Sequence, residues 1–145
     1  DEDWCEKLVC HFDVLVRDHP LDSWSIGIDK ETTPAVYEML RFGVQVKIQN
    51  LSTHPQSRGV QLPAMALMVM RAGVVHLLPE HDFCLRIGDE ILFCGQSRVL
   101  NQMQWTVCNT SVLRYVISGQ DEASGYLWQR FFKKKNESKD IGGSA

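Results

Sequence analysis

The chain predicts an α+β fold, a mainly antiparallel or mixed β-sheet with two or three short helices, and three observations carry that expectation. Apolar residues recur at period two in several segments. Two apolar runs between residues 64 and 95 are bounded by Gly-bearing turns. Two short stretches with helical spacing have their own start and stop residues.

Taken in order, Cys10, Phe12, Val14 and Val16 alternate with His11, Asp13, Leu15 and Arg17, which predicts a first strand with one buried face. Trp24, Ile26 and Ile28 alternate with Ser23, Ser25 and Gly27 and predict a second. Thr33 to Gly43 then reads as a short amphipathic helix. Thr33 is placed to cap, Pro34 suits the first helical position, Val36, Tyr37 and Leu40 share a face, and Gly43 ends it. Val44, Val46 and Ile48, alternating with Gln45, Lys47 and Gln49, predict a third strand. Residues Leu51 to Pro63 are polar and punctuated by Pro and Gly, and read as a loop.

Ala66 to Met70 is apolar throughout, which predicts a strand buried on both faces in the middle of a sheet. Across Arg71-Ala72-Gly73, Val74 to Leu78 is its expected hairpin partner. Glu90 to Cys94, entered through Gly88-Asp89 and closed by Gly95, is a further strand. Ser97 is then placed to cap a helix carrying Val99, Leu100, Met103 and Val107. Val112, Leu113 and Val116 resume it beyond Asn109-Thr110-Ser111, and Ser118-Gly119 breaks the chain. Past Phe132 the lysine-rich 133–145 stretch has too little apolar surface to offset ordering entropy, and predicts a disordered tail. His-Pro recurs at 19–20 and 54–55, each time after an alternating segment, a weak hint of duplication.

At 145 residues, 44% hydrophobic and 23% charged, the chain suits one globular domain over 1–132. A domain of that size buries roughly two thirds of its unfolded surface. Within it, 1–50 reads as an N-terminal strand–helix region and 64–108 as the sheet core. A net charge of −3 gives no electrostatic case for nucleic acid. Five cysteines, Cys5, Cys10, Cys84, Cys94 and Cys108, are an odd number and read as reduced thiols in a cytosol. The longest apolar runs fall far short of the ~20 residues a spanning helix requires. The sequence opens on Asp1 with no initiator Met, as an excised piece of a longer protein would.

Signatures of catalysis are missing from the sequence. There is no G-x-G-x-x-G, no phosphate loop, no nucleophile elbow, no H-E-x-x-H and no Cys-x-x-Cys. Cys5, Cys10 and His11, or His76, His81 and Cys84, could gather a metal only if the fold converged, and their spacings fit no standard site. Adjacent Cys10 and His11 would point to opposite faces of a strand. The Glu80-His81-Asp82 triplet reads as a solvated turn. Trp128 with Phe131 or Phe132 is expected to pack back on the domain while the following lysines solubilise the terminus. Arg71, after a buried strand, is either a turn residue or an anion-reading group at a subunit boundary.

Arg71, Gly73, Leu78-Pro79, Asp82, Leu85, Gly88-Asp89, Leu92 and Gly95 together resemble the C-terminal lobe of the regulator-of-potassium-conductance (RCK) domain, the TrkA-C type. That lobe typically shows an apolar strand, Arg-x-Gly, a Pro before an acidic residue, Leu-x-x-Gly-Asp, an apolar strand and Gly. The resemblance covers 64 to 95. In one alignment Gly59-Val60-Gln61-Leu62 stands for the family's Gly-x-x-Leu, with Val44 to Ile48 as its first strand and residues 1–43 in a preceding lobe or degenerate copy. In the other, the helix at 34–42 takes that place. The first is preferred.

The resemblance implies a cytosolic regulatory module on the cytoplasmic side of the membrane, soluble itself but part of a longer membrane protein. It would form a homodimer or higher oligomer, sense a small ligand such as a cation or cyclic dinucleotide, and act on a potassium channel or transporter portion of the same chain. Arg71, His76 and His81 are the ligand-binding or interface candidates. No catalytic residue, metal ligand or particular cofactor is expected. A passive oligomerisation module and, more remotely, a small metalloenzyme are the alternatives.

Overall fold

The computed structural model describes residues 20–119 together with Glu6 and Val9. Six strands and four helices follow one another in the described region. These are β1 (Leu21–Gly27), α1 (Pro34–Arg41), α2 (Ile48–Leu51), β2 (Thr53–His54), β3 (Ser57–Gln61), β4 (Ala64–Arg71), β5 (Val74–Leu77), β6 (Glu90–Gln96), α3 (Val99–Cys108) and α4 (Thr110–Ser118). The expected α+β class is what the chain adopts. The main sheet is four-stranded in the order β1-β6-β4-β5, antiparallel throughout, with a separate β2–β3 ribbon. The strand expected over Cys10–Val16, the tail at 133–145 and the packing of Trp128, Phe131 and Phe132 lie outside the described residues.

One face of this sheet makes the core. Ile26 from β1, Ile91 and Phe93 from β6, and Ala66 and Val69 from β4 point to it. They meet Val36 and Met39 of α1, Leu51 of α2, Val99, Met103 and Val107 of α3, and Leu113 of α4. Trp24 stacks on Phe93 at 6.2 Å between ring centroids. Ala66 and Val69 share a face although three positions apart, because the β4–β6 register slips between Ala66 and Met68. The extra residue, Leu67, turns its carbonyl to the Leu78 N–H at 2.8 Å. Consequently β4 does not bury every side chain on both faces, as its apolar composition predicts. Only Ala66 and Val69 are buried, and the rest are partly exposed. Gly95 lets β4 start against β6, since a Cβ there would fall 2.5 Å from the Cβ of Ala64 and from the carbonyl oxygen of Pro63.

Three further expectations need correction. Residues 44–48 are not a strand. The Asn50 side chain accepts the Lys47 N–H at 2.7 Å and closes the turn of α2, so period-two burial survives only at Val46 and Ile48. That segment keeps one bridge, Lys47 with Cys84. Residues 51–63 are not all loop, because Pro55-Gln56 reverses the chain into the β2–β3 ribbon. Nor do residues 1–43 stand apart where they are described: β1 pairs along its whole length with β6, and α1 supplies core residues.

The helices start differently from expectation as well. Neither the Thr33 nor the Ser97 hydroxyl accepts a capping hydrogen bond from its helix. Thr33, fully buried, turns its hydroxyl back to the Gly27 and Asp29 carbonyls at 3.1 and 3.2 Å. Pro34 leaves one N–H fewer for a cap to satisfy. The buried side of α1 is Ala35, Val36 and Met39, with Tyr37 and Leu40 at its margin. Gly43, at φ +82°, ends it as read from sequence.

Candidate functional site: the β4–β5 hairpin and its cleft

Ala72 and Gly73, at φ +50° and +81°, connect β4 to β5 as a two-residue turn with Arg71 facing Val74. Positive φ at both central positions gives the twist that a tight hairpin needs. Arg71, at the turn end of the hairpin, meets the 78–89 connection, and there a polar network forms.

Arg71 donates through Nε and Nη2 to the two carboxylate oxygens of Asp89, at 2.9 and 2.7 Å. Its Nη2 also reaches the Cys84 carbonyl at 2.8 Å. Asp89 is nearly inaccessible and accepts a third bond, from the Arg86 N–H at 2.8 Å. The Asp89 hydrogen bond, opposed by partial desolvation, pushes the Arg71 guanidinium above the ordinary arginine range, so its charge is permanent. Phe83 completes the cluster. The guanidinium carbon lies 4.8 Å from its ring centroid, and the His76 ring meets it edge-on at 5.3 Å. Arg71 and His76 thus share one aromatic support, while Nε and Nη2 of Arg71 are engaged by Asp89 and the Cys84 carbonyl. The sequence pattern does not mark Asp89 as this partner, since Gly88-Asp89 carries only turn chemistry there.

His81 stands apart from this cluster. It lines a cleft of about 110 Å³ with Ile48, Ser52, Met65, Pro79 and Glu80, between α2, the start of β4 and the segment after β5. The His81 carbonyl accepts the Gln49 N–H at 3.0 Å and the Phe83 carbonyl accepts that of Ile48 at 3.1 Å, so the cleft wall is tied to α2. Leu78, at φ +43°, is the strained residue through which the chain leaves β5 for that wall. A separate hollow of about 270 Å³ lies beside α1, lined by Lys30, Pro34, Tyr37, Glu38, Arg41 and Phe42.

Among the described residues β5 pairs only with β4, and Val74, Val75 and Leu77 are 57%, 46% and 60% exposed. No three His, Cys, Asp or Glu side chains of the described residues come together in a way that would hold a metal. No described helix is long and apolar enough to cross a membrane. Against known proteins, no family model matches the chain and no curated protein matches it.

Proposed function

We propose that this chain is a cytosolic regulatory domain of a potassium or other cation channel or transporter, one that dimerises and senses a small ligand. The observation that carries the reading is β5, an apolar strand whose outer backbone edge has no partner among the described residues. Soluble proteins blunt such edges with charge or proline, and Val74-Val75-His76-Leu77 has neither. A second copy adding its own β5 would satisfy both edges by one two-fold operation.

The cleft beside this hairpin supports sensing. At about 110 Å³ it is smaller than the ~300–1,000 Å³ of sites for drug-sized ligands. With Ser52, Glu80 and His81 in its lining, it suits a cation better than a whole cyclic dinucleotide. Occupancy would be felt at β5 through Leu78 and Pro79, which join cleft to strand. Useful coupling needs only ~1–3 kcal/mol of difference in ligand affinity between two hairpin arrangements.

The test is mass measurement of the full chain across concentration, with thermal shift in K⁺, Mg²⁺ and cyclic di-AMP. A dimer stabilised by one of these probes is expected. Val75→Lys with Leu77→Lys should make it monomeric, and His81→Ala should remove the ligand shift. A monomer at every concentration overturns the reading. A dimer indifferent to all three probes leaves passive oligomerisation in its place.

A further inference from the structure

The free edge of β5 has a defined phase. The Leu78 N–H donates to the Leu67 carbonyl at 2.8 Å, and the register runs on from there through Val69 with His76 to Arg71 with Val74. Hydrogen-bonded and non-hydrogen-bonded pairs alternate along an antiparallel ladder, so Val74, His76 and Leu78 turn their backbone polar groups toward β4. Those of Val75 and Leu77 point the other way, to the edge that has no partner among the described residues. Side chains alternate between the two faces. His76 stands opposite the buried Val69, on the core side, with its ring edge-on to Phe83 at 5.3 Å. Val75 and Leu77, opposite Met70 and Met68, lie on the outer face and are exposed.

We propose that two copies of the chain, joined at this edge, hold a divalent transition-metal ion between their His76 rings. The inference rests on the β5 dimer and adds to it a site that neither copy has alone. A two-fold axis relating antiparallel edges passes through a residue position, because residues directly opposite each other share a face. Centred on Val75, the pairing sets Leu77 against Gly73, which lies in the turn at φ +81°. Centred on Leu77, it sets Val75 against Pro79, which has no N–H. Centred on His76, Val75 of each copy meets Leu77 of the other, every outward N–H and C=O is satisfied, and the exposed apolar side chains pair with each other. His76 then faces the partner's His76 as a non-hydrogen-bonded pair, with Cα atoms ~4.5 Å apart. Cβ atoms at ~4.5–5.5 Å let one nitrogen of each ring reach a shared ion through bonds of ~2 Å. Imidazole suits Zn²⁺, Ni²⁺ and Cu²⁺ and not the hard ions K⁺ and Mg²⁺, which sets this site apart from the cleft at His81. Phe83 supports each ring, and Arg71, over the same aromatic ring, has its charge balanced by Asp89.

Sedimentation of the full chain in a Ni²⁺ titration, under reductant, tests the site. Ni²⁺ is the probe because the chain's thiols compete more strongly for Zn²⁺. At about ten times its own dissociation constant, Ni²⁺ should tighten the wild-type dimer about tenfold. As a paramagnetic ion it should also broaden the His76 ring resonance first among the five histidines. His76→Ala should lose the tightening. His76→Cys, oxidised in air, should form a disulfide between the two copies of residue 76, whose Cα separation suits that bond. A wild-type dimer indifferent to Ni²⁺, or one whose response survives in His76→Ala, overturns the proposal and leaves the β5 dimer standing. So does a dimer in which residue 76 fails to crosslink to itself. A chain that stays monomeric with and without Ni²⁺ overturns both. Should His76→Ala itself fail to dimerise, the wild-type resonances decide. Broadening led by His76 supports the site, and broadening led by any other histidine removes it.

Discussion

At the scale of single residues, the Arg71–Asp89 pair shows why its two ends are not equivalent. The Arg71 side chain is 20% exposed and Asp89 only 1%, so the guanidinium can turn to water if its partner is lost and the carboxylate cannot. Arg71→Met should therefore cost about 3 kcal/mol, as an uncompensated buried charge does. Asp89→Asn, which leaves an acceptor for Arg86 and a neutral partner for Arg71, should cost about 1–2 kcal/mol. Urea midpoints at constant m-value check the order of the two, and a larger loss for Asp89→Asn would refute it. Asp29 offers a pH test. Its carboxylate accepts the Glu31 and Thr32 N–H groups at 2.9 and 2.7 Å, and the Thr32 bond leads in pulling its pKa below the ordinary 3.8. A depressed carboxylate adds stability that is complete above its unfolded value and lost as pH falls through its folded one. The difference between wild type and Asp29→Asn should hold steady from neutral pH down to about pH 5 and shrink below pH 4. A difference that grows on acidification would reverse the assignment. Of these residues the sequence named Arg71 and gave it two alternatives. Neither was an internal partner eighteen positions on, because nothing local in Gly88-Asp89 says which cation the carboxylate will meet.

Elements were legible where turn chemistry and period agreed. Arg71-Ala72-Gly73 and Gly88-Asp89 bounded β4, β5 and β6 correctly, and Pro34 with Gly43 bounded α1. The β2–β3 ribbon was not legible, since Ser57–Gln61 is exposed at every position and carries no hydrophobic period. Residues 44–48 show the opposite failure. Their alternation is real, but one side-chain bond from Asn50 to the Lys47 N–H ends the extended run before it becomes a strand. The hairpin turn makes its own prediction. Ala72 sits at φ +50°, where a Cβ is costly and Asn is better tolerated. Ala72→Asn, giving Asn-Gly at the two central positions, should raise stability by about 0.5–1 kcal/mol. Thermal unfolding should show a higher midpoint, and a lower one would mean that the turn is not the two-residue type its dihedrals describe.

For the molecule as a whole, the question is whether the 64–95 stretch that carries the family resemblance is a folding unit. The pairing says it is not. β6 lies between β1 and β4, so removing the N-terminal region exposes the Ile91–Phe93 side of a central strand along its full length. Val36 and Met39 would leave the core in the same cut, and the fully buried Thr33 with them. Three antiparallel strands keep a hydrophobic face only if something covers it, and α1 is part of that cover. A chain reduced to residues 44–119 should accordingly give no cooperative transition in urea by tryptophan fluorescence, with Trp105 its reporter, and should bind a hydrophobic dye as a collapsed state does. A sharp two-state transition in that fragment would show that β4, β5 and β6 with α3 and α4 are self-sufficient, and would restore the reading in which the first forty-three residues belong to a separate lobe.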